Sequence, residues 1–459
     1  MEQKKSKFSN WMRNSITARM LVVGFLLLVL LIPLEFVKSL INERANRQKE
    51  VVSEINEKWG NEVLLSGPIV KIPYKVILEE KIYNEKSNSY YTKTKEKTEN
   101  AYFFPDQLDF SSSVDSKPLK RSIYESVVYS ANIEIQGNFP IISFSDTDIP
   151  EENILWEKAS IILQTSNLKG IKSSPSVNLG SQKLSLTPQH SKSHLNTIQT
   201  NYIKNAKEIF TTPQTYSLDL KINGSESLKF LPIGKETEAT MKSNWHSPSF
   251  DGNFLPEDSN KEISKDGFSA TWRVFQINRE FEQSFFGSLP NLSSSAFGTT
   301  LIIPVDEYQK SERTAKYGFM VIGLTLLVFL LIQLVSKIYI HPFQYVMIGL
   351  ALIMFYTLLL SISEHSNFFK AYAIAAFSVL ALITIYSRAI LQGFKFPLLI
   401  CTSLASLYGF IYVIIQLENY ALLVGSIGLF LILAIIMFAS RRIDWNNDNQ
   451  QSVSEAVIN

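Results

Sequence analysis

Cysteine is almost missing from this chain: among 459 residues there is one, Cys401, and it lies inside an apolar run. A single thiol cannot close an intramolecular disulfide, so the polar part of the chain must stand on packing alone. A dominant charge is missing too. Lys and Arg number 44 against 42 Asp and Glu, giving a net charge of +2, and no long basic run follows the N-terminal KKSK. Neither feature points to nucleic acid. There is no phosphate-cradling glycine-rich loop, no GxSxG elbow and no CxxC pair, which removes the common sequence signatures of nucleotide, hydrolase and redox chemistry. Histidine is scarce, with five in all. His190 and His194 have the spacing of two metal ligands on one helix face, but TPQHSKSHLN carries no helical apolar stripe and no third ligand nearby. A zinc site needs three or four placed ligands, so both read as solvated loop histidines. No metal, cofactor or catalytic residue is expected, and the chain does not read as an enzyme.

What is abundant is apolar sequence in long runs. Tyr317–Val335, Tyr345–Ile362, Phe368–Tyr386, Phe396–Ile415 and Ala421–Ala439 follow one another with short polar breaks. Each matches the ~20 residues a helix needs to cross ~30 Å of hydrocarbon. Lipid offers no hydrogen bonds, so a spanning segment must satisfy its own backbone, as a helix does. A further run, Met20–Pro33, follows Lys4, Lys5, Lys7, Arg13 and Arg19. It resembles a secretory signal but lacks a small-x-small cleavage site and continues in helical spacing through Val51, Val52, Ile55 and Trp59. The expected organisation is a cytoplasmic N-terminus over 1–19, a transmembrane helix over 20–40 and an amphipathic stalk over 41–59. A periplasmic β-rich domain (60–312), a five-helix transmembrane block (317–439) and a cytoplasmic tail (440–459) complete it. The short loops set the orientation. Lys337, Arg388, Lys395 and Arg441-Arg442 lie on one side, and Glu364, His365 and Glu418 on the other. Positive charge marks the cytoplasmic face, so both termini are expected inside a bacterial inner membrane. Arg313 and Lys316 run against this trend, accompanied by Asp306, Glu307 and Glu312.

The polar segment reads as strands. Gly67–Leu78, Ser122–Gly137, Thr215–Phe230 and Phe268–Ile277 alternate apolar and polar residues, the period of a half-buried strand. Asn223-Gly224 sits between two such runs and predicts a hairpin turn. Glu80–Asn100, rich in Lys and Glu, reads as a long hairpin or loop, and Gly170–Asn201 as loops around short strands. The fold class is therefore a membrane α-helical protein, one N-terminal plus five C-terminal transmembrane helices, with a large inserted, mainly antiparallel β domain of sandwich type.

Three stretches are candidates for function. Ser243–Pro256, SNWHSPSFDGNFLP, gathers aromatics, prolines and a histidine. It reads either as a loop packed by Trp245, Phe250 and Phe254 or as a binding surface using Trp245, His246, Phe250 and Asp251. In YIHPF, Pro342 suits the first position of a helix, which puts His341 near its cap. In SISEH, Glu364 and His365 close that helix, either as a solvated end or facing a polar cavity; an ionisable residue at a membrane boundary is costly unless paired, hydrated or used.

These same stretches, with SERTAKYG, HPFQYVMIGLALIMFYTLLLSISEHSNF and the closing RRIDW, resemble the CreD family of bacterial inner-membrane proteins over essentially the whole chain. The resemblance implies a role in cell-envelope integrity, a link to a two-component regulatory system, and responses to β-lactams and colicins. It supplies no catalytic residues. The expected function is a multi-pass envelope protein that binds an envelope protein or cell-wall component through its β domain, with the lipid bilayer as its other partner. The alternatives are a transporter or lipid-handling protein, and a membrane enzyme using Glu364 and His365. No charge falls near a helix centre, which weighs against transport.

Overall fold

The computed structural model describes residues 15–84, 89–190, 194–303, 307–391, 393–417 and 420–441. The basic residues Lys4, Lys5, Lys7 and Arg13, the acids Asp306 and Glu418, and Arg442 with the rest of the C-terminal tail lie outside the described residues. Two units appear: one of residues 1–49 and 305–459, the other of residues 50–304.

Helix α1, Ile16–Trp59, is one unbroken element. Pro33 lies inside it. The membrane unit continues with α3 (Glu307–Lys316), α4 (Gly318–Ser336), α5 (Pro342–Ser363), α6 (Phe368–Ile390), α7 (Lys395–Gln416) and α8 (Ala421–Ser440); the four-residue α2 (Ala206–Ile209) belongs to the other unit. Among the described residues, α1 and α4 to α8 are long and apolar enough to cross a membrane. Their packing rests on close approach. A Cβ placed on Gly349 would lie 2.1 Å from Leu30 Cδ1, and one on Gly318 2.8 Å from Leu34 Cδ1, so two glycines receive two α1 leucines. Small residues at helix contacts are how backbones approach in lipid, where no hydrophobic drive exists between helices. Helix α3 begins in the last residues of the 60–312 span, runs past its end and groups with the membrane unit.

Among the described residues, the second unit holds sixteen strands. In chain order they are β1 (Val63–Asn84), β2 (Ser89–Phe103), β3 (Gln107–Arg121), β4 (Tyr124–Phe139), β5 (Ser160–Thr165), β6 (Ser176–Leu179), β7 (Gln182–Gln189) and β8 (Asn196–Thr200). After α2 come β9 (Gln214–Ser225), β10 (Ser227–Phe230), β11 (Glu236–Ser243), β12 (Pro248–Gly252), β13 (Lys261–Ser264), β14 (Gly267–Phe275), β15 (Ser284–Gly287) and β16 (Phe297–Leu301). The pairings are antiparallel except β1 with β10 and β3 with β11. Period-2 burial is clean along β3, where Leu108, Phe110, Ser112 and Val114 point inward and Ser111 and Ser113 outward. The pairings form two sheets, β1, β2, β5, β8, β10, β12, β15 and β16 in one and β3, β4, β6, β9, β11, β13 and β14 in the other, joined through β7. Aromatic rings bridge them: Phe110 of β3 stacks on Phe230 of β10 at 4.4 Å, and Trp272 of β14 meets Phe297 of β16 at 5.9 Å. Full burial of one such side chain contributes about 1.5–3 kcal/mol. The last turns of α1, from residue 50 on, belong to this unit. Asn56 Oδ1 accepts from Ser126 Oγ at 2.6 Å, Trp59 Nε1 donates to Tyr129 O at 3.0 Å, and Glu54 pairs with Arg121.

The hairpin expected at Asn223-Gly224 is absent. Both residues lie inside β9, opposite Ser130 and Tyr129 of β4. The chain turns two residues later, at Glu226 with φ 59°, and β10 leaves to pair with β1 and β16. Gly224 is required by contact, not by a turn. A Cβ there would meet Tyr129 Oη at 2.3 Å, while Gly60 and Gly170 crowd the Asn223 carbonyl from other segments.

Candidate functional site

Glu364 caps the C-terminal end of α5. Its side chain is 14% exposed and turned into the membrane unit. Oε1 accepts from the hydroxyl of Tyr308, on α3, at 3.1 Å and lies 3.8 Å from Arg44 Nε on α1. One carboxylate thus ties three helices. His365 does not join it: the ring is exposed, and its backbone N–H donates to Ile362 O at 3.1 Å. At the other end of α5, His341 is the N-cap. Its Nδ1 accepts from Phe343 N at 3.2 Å, and Gln344 Oε1 accepts from His341 N at 2.9 Å, with Pro342 at the first helical position. This is a reciprocal cap in which an imidazole nitrogen plays the part of a serine oxygen. Polar residues inside the helices are packed: Gln333 accepts from the Tyr345 hydroxyl at 2.6 Å, both buried.

The stretch Ser243–Pro256 is held by its aromatics. Trp245 is 8% exposed and donates from Nε1 to Ile302 O at 3.0 Å; His246 lies against it at 5.3 Å with its own side chain exposed. Phe250 meets Phe268 and Trp272 edge-on at 5.6 and 5.7 Å. Ser243 and Asn244 bond to Ser116 of β3, and Asp251 faces the neighbouring strands. Its Oδ2 accepts from Lys229 Nζ at 3.1 Å and Thr300 Oγ1 at 2.9 Å, and its Oδ1 is buried without a partner. In the ladder Lys229, Gly298 and Asp251 stand abreast on β10, β16 and β12. The middle strand offers no side chain there, so Lys229 reaches Asp251 across it. Arg44, Tyr308, Lys229 and Thr300 carried no local sequence signal, because each acts through a partner distant in the chain.

The outward face of β3, β4, β9 and β11 forms an open trough of about 850 Å³. Short side chains, Ser111, Ser113, Asn132 and Thr240, floor it. The register sets Asp109 beside Glu238 and Glu134 beside Asp219, with Lys221 and Lys242 toward the other end. Burial pushes the Asp109 carboxyl above its usual value, the Gln107 hydrogen bond opposes this, and the charges of Glu238 and Glu236 add to it. Within 50–304, Arg279 is buried on the carbonyls of Ile233, Gly234 and Phe281, and burial lowers its guanidinium to about 10. Among the described residues no group of three or more His, Cys, Asp or Glu is placed to hold a metal.

Among the described residues, six helices long and apolar enough to cross a membrane, interrupted by a large β unit, define a polytopic membrane protein with one inserted β domain. A family model for the inner membrane protein CreD matches residues 15–446, and the chain belongs to that family. The inner membrane protein CreD of Escherichia coli (strain K12) is 28% identical to it over 430 residues, covering 91% of each chain. It is thus a multi-pass inner-membrane protein.

Proposed function

We propose that this protein maintains the cell envelope under stress by binding an envelope component or partner protein through its β unit. The β unit lies in the periplasm in this reading, and both termini lie in the cytoplasm. The supporting observation is the polar trough on β3, β4, β9 and β11. It is broad and open, carries both charge signs, and has a floor of hydroxyls and amides suited to a hydrated polymer. The basic short loops Lys337 and Arg388–Lys395, against Glu364 on the opposite side, support the orientation.

The test fills the trough without touching the core. Ser113 is exposed on its floor, at the lysine end beside Asn132 and Lys242. Ser113→Trp in the full-length protein should leave its amount in the membrane unchanged and cut its co-sedimentation with purified cell-wall sacculi at least tenfold. The same variant should fail to restore β-lactam and detergent tolerance to a deletion strain. Rescue equal to the parent's would remove the trough from the mechanism. A deletion strain with no envelope phenotype would remove the envelope role itself.

A further inference from the structure

A second concavity in the β unit is separate from the trough and has a different character. It is a cleft of about 440 Å³, within the range of small-molecule sites. One wall is Glu62, whose Oε2 accepts from Ser227 Oγ at 3.1 Å. Another is Lys229, 26% exposed. Gly252 and Asn253, from the stretch Ser243–Pro256, line it together with Ser293 and Ser294.

Chemistry narrows the occupant. Lys229 has three ammonium hydrogens, and Asp251 is its ion-pair partner, so donor capacity remains. Glu62 makes no ion pair among the described residues, and Oε1 is left over after the Ser227 bond. A simple anion would meet Glu62 and Asp251. A neutral sugar would leave Glu62 without a counter-charge, and no aromatic ring lines the cleft for a sugar face to stack on. A molecule with an ammonium at one end and an anionic group at the other answers both walls.

We infer that the Glu62–Lys229 cleft binds a small zwitterion, its ammonium on Glu62 and its carboxylate or phosphate on Lys229. Two sources share that chemistry: a free peptide or amino acid, and a phosphoethanolamine head group. The inference goes beyond the envelope reading, and it stands or falls separately from the trough.

Isothermal titration of the full chain in detergent with alanyl-alanine and with glycerophosphoethanolamine tests it. One of the two should bind saturably, and which one names the source. The N-acetylated and C-amidated dipeptides, each lacking one charge, should bind at least tenfold more weakly than alanyl-alanine if the peptide is the source. Lys229→Met should abolish binding. Because that change also strips Asp251 of its partner, Glu62→Gln is the cleaner variant. Glu62 is exposed, its amide still accepts from Ser227, and binding should fall at least tenfold with unchanged thermal stability. Ser113→Trp should bind as the parent does. Binding of neither probe at millimolar concentration, or binding indifferent to Glu62→Gln, overturns the inference.

Discussion

At the scale of single residues, the partners matter more than the residues the sequence singled out. Glu364 was legible as an ionisable group at a helix end. Arg44 and Tyr308 were not, because no local pattern links three helices that meet only in the fold. Tyr308→Phe should cost about 1–2 kcal/mol, since it removes a hydrogen bond to a largely buried carboxylate. Glu364→Gln keeps an acceptor for Tyr308 and loses only the contact with half-exposed Arg44, so its cost should stay below about 1 kcal/mol. Thermal unfolding of the purified variants checks the order. Asp109 gives a pH test. Its folded carboxyl is raised above the unfolded value by burial. The protonated form is therefore favoured by folding, and this contribution is lost as pH rises through the folded value. Asp109→Asn removes the penalty of this partly buried charge, which solvent screens in part. It should raise the melting temperature at pH 7 by on the order of 1–2 °C, and the gain should vanish below about pH 4. A gain that persists in acid would assign the effect to packing.

At the scale of elements, the helices were readable and the strand connections only in part. Eighteen to twenty apolar residues in a row have one stable form in lipid, so Phe368 and Ala421 opened helices where the runs began. His341-Pro342 likewise placed the start of α5. Asn223-Gly224 misled because glycine serves two ends that look alike in sequence: freedom to turn, and room for a neighbour. Only the packing of Tyr129 distinguishes them. Gly318, Gly349 and Gly428 of the membrane unit act in the second way. Gly349→Ala should overpack Leu30 and destabilise by about 1–3 kcal/mol. Leu30→Ala in the same chain should relieve the overpacking, so that the two changes together cost less than their sum. Strict additivity in a double-mutant cycle would show that the helices do not meet there.

At the scale of the whole molecule, the division into an apolar block and an inserted β unit was visible in hydropathy alone, whereas the trough and the cleft arise from register between distant strands. Orientation is open to direct measurement. With Cys401→Ser as background, a cysteine at Ser181, exposed in the turn between β6 and β7, should react with an impermeant maleimide once the outer membrane is opened. Labelling only after inner-membrane rupture would reverse the topology. A deletion strain complemented with Glu364→Gln/His365→Ala at matched levels then asks whether the α5 end is part of the activity or only of the scaffold. Full rescue assigns it to the scaffold. Helix α8 has a consequence of another kind. None of its residues is buried, and Gly428 lies tight against Phe410. The exposed residues along it answer to apolarity and length more than to shape. Leu, Ile, Phe and Val should therefore interchange freely along it, and its sequence should drift faster than that of α5 while its length stays fixed.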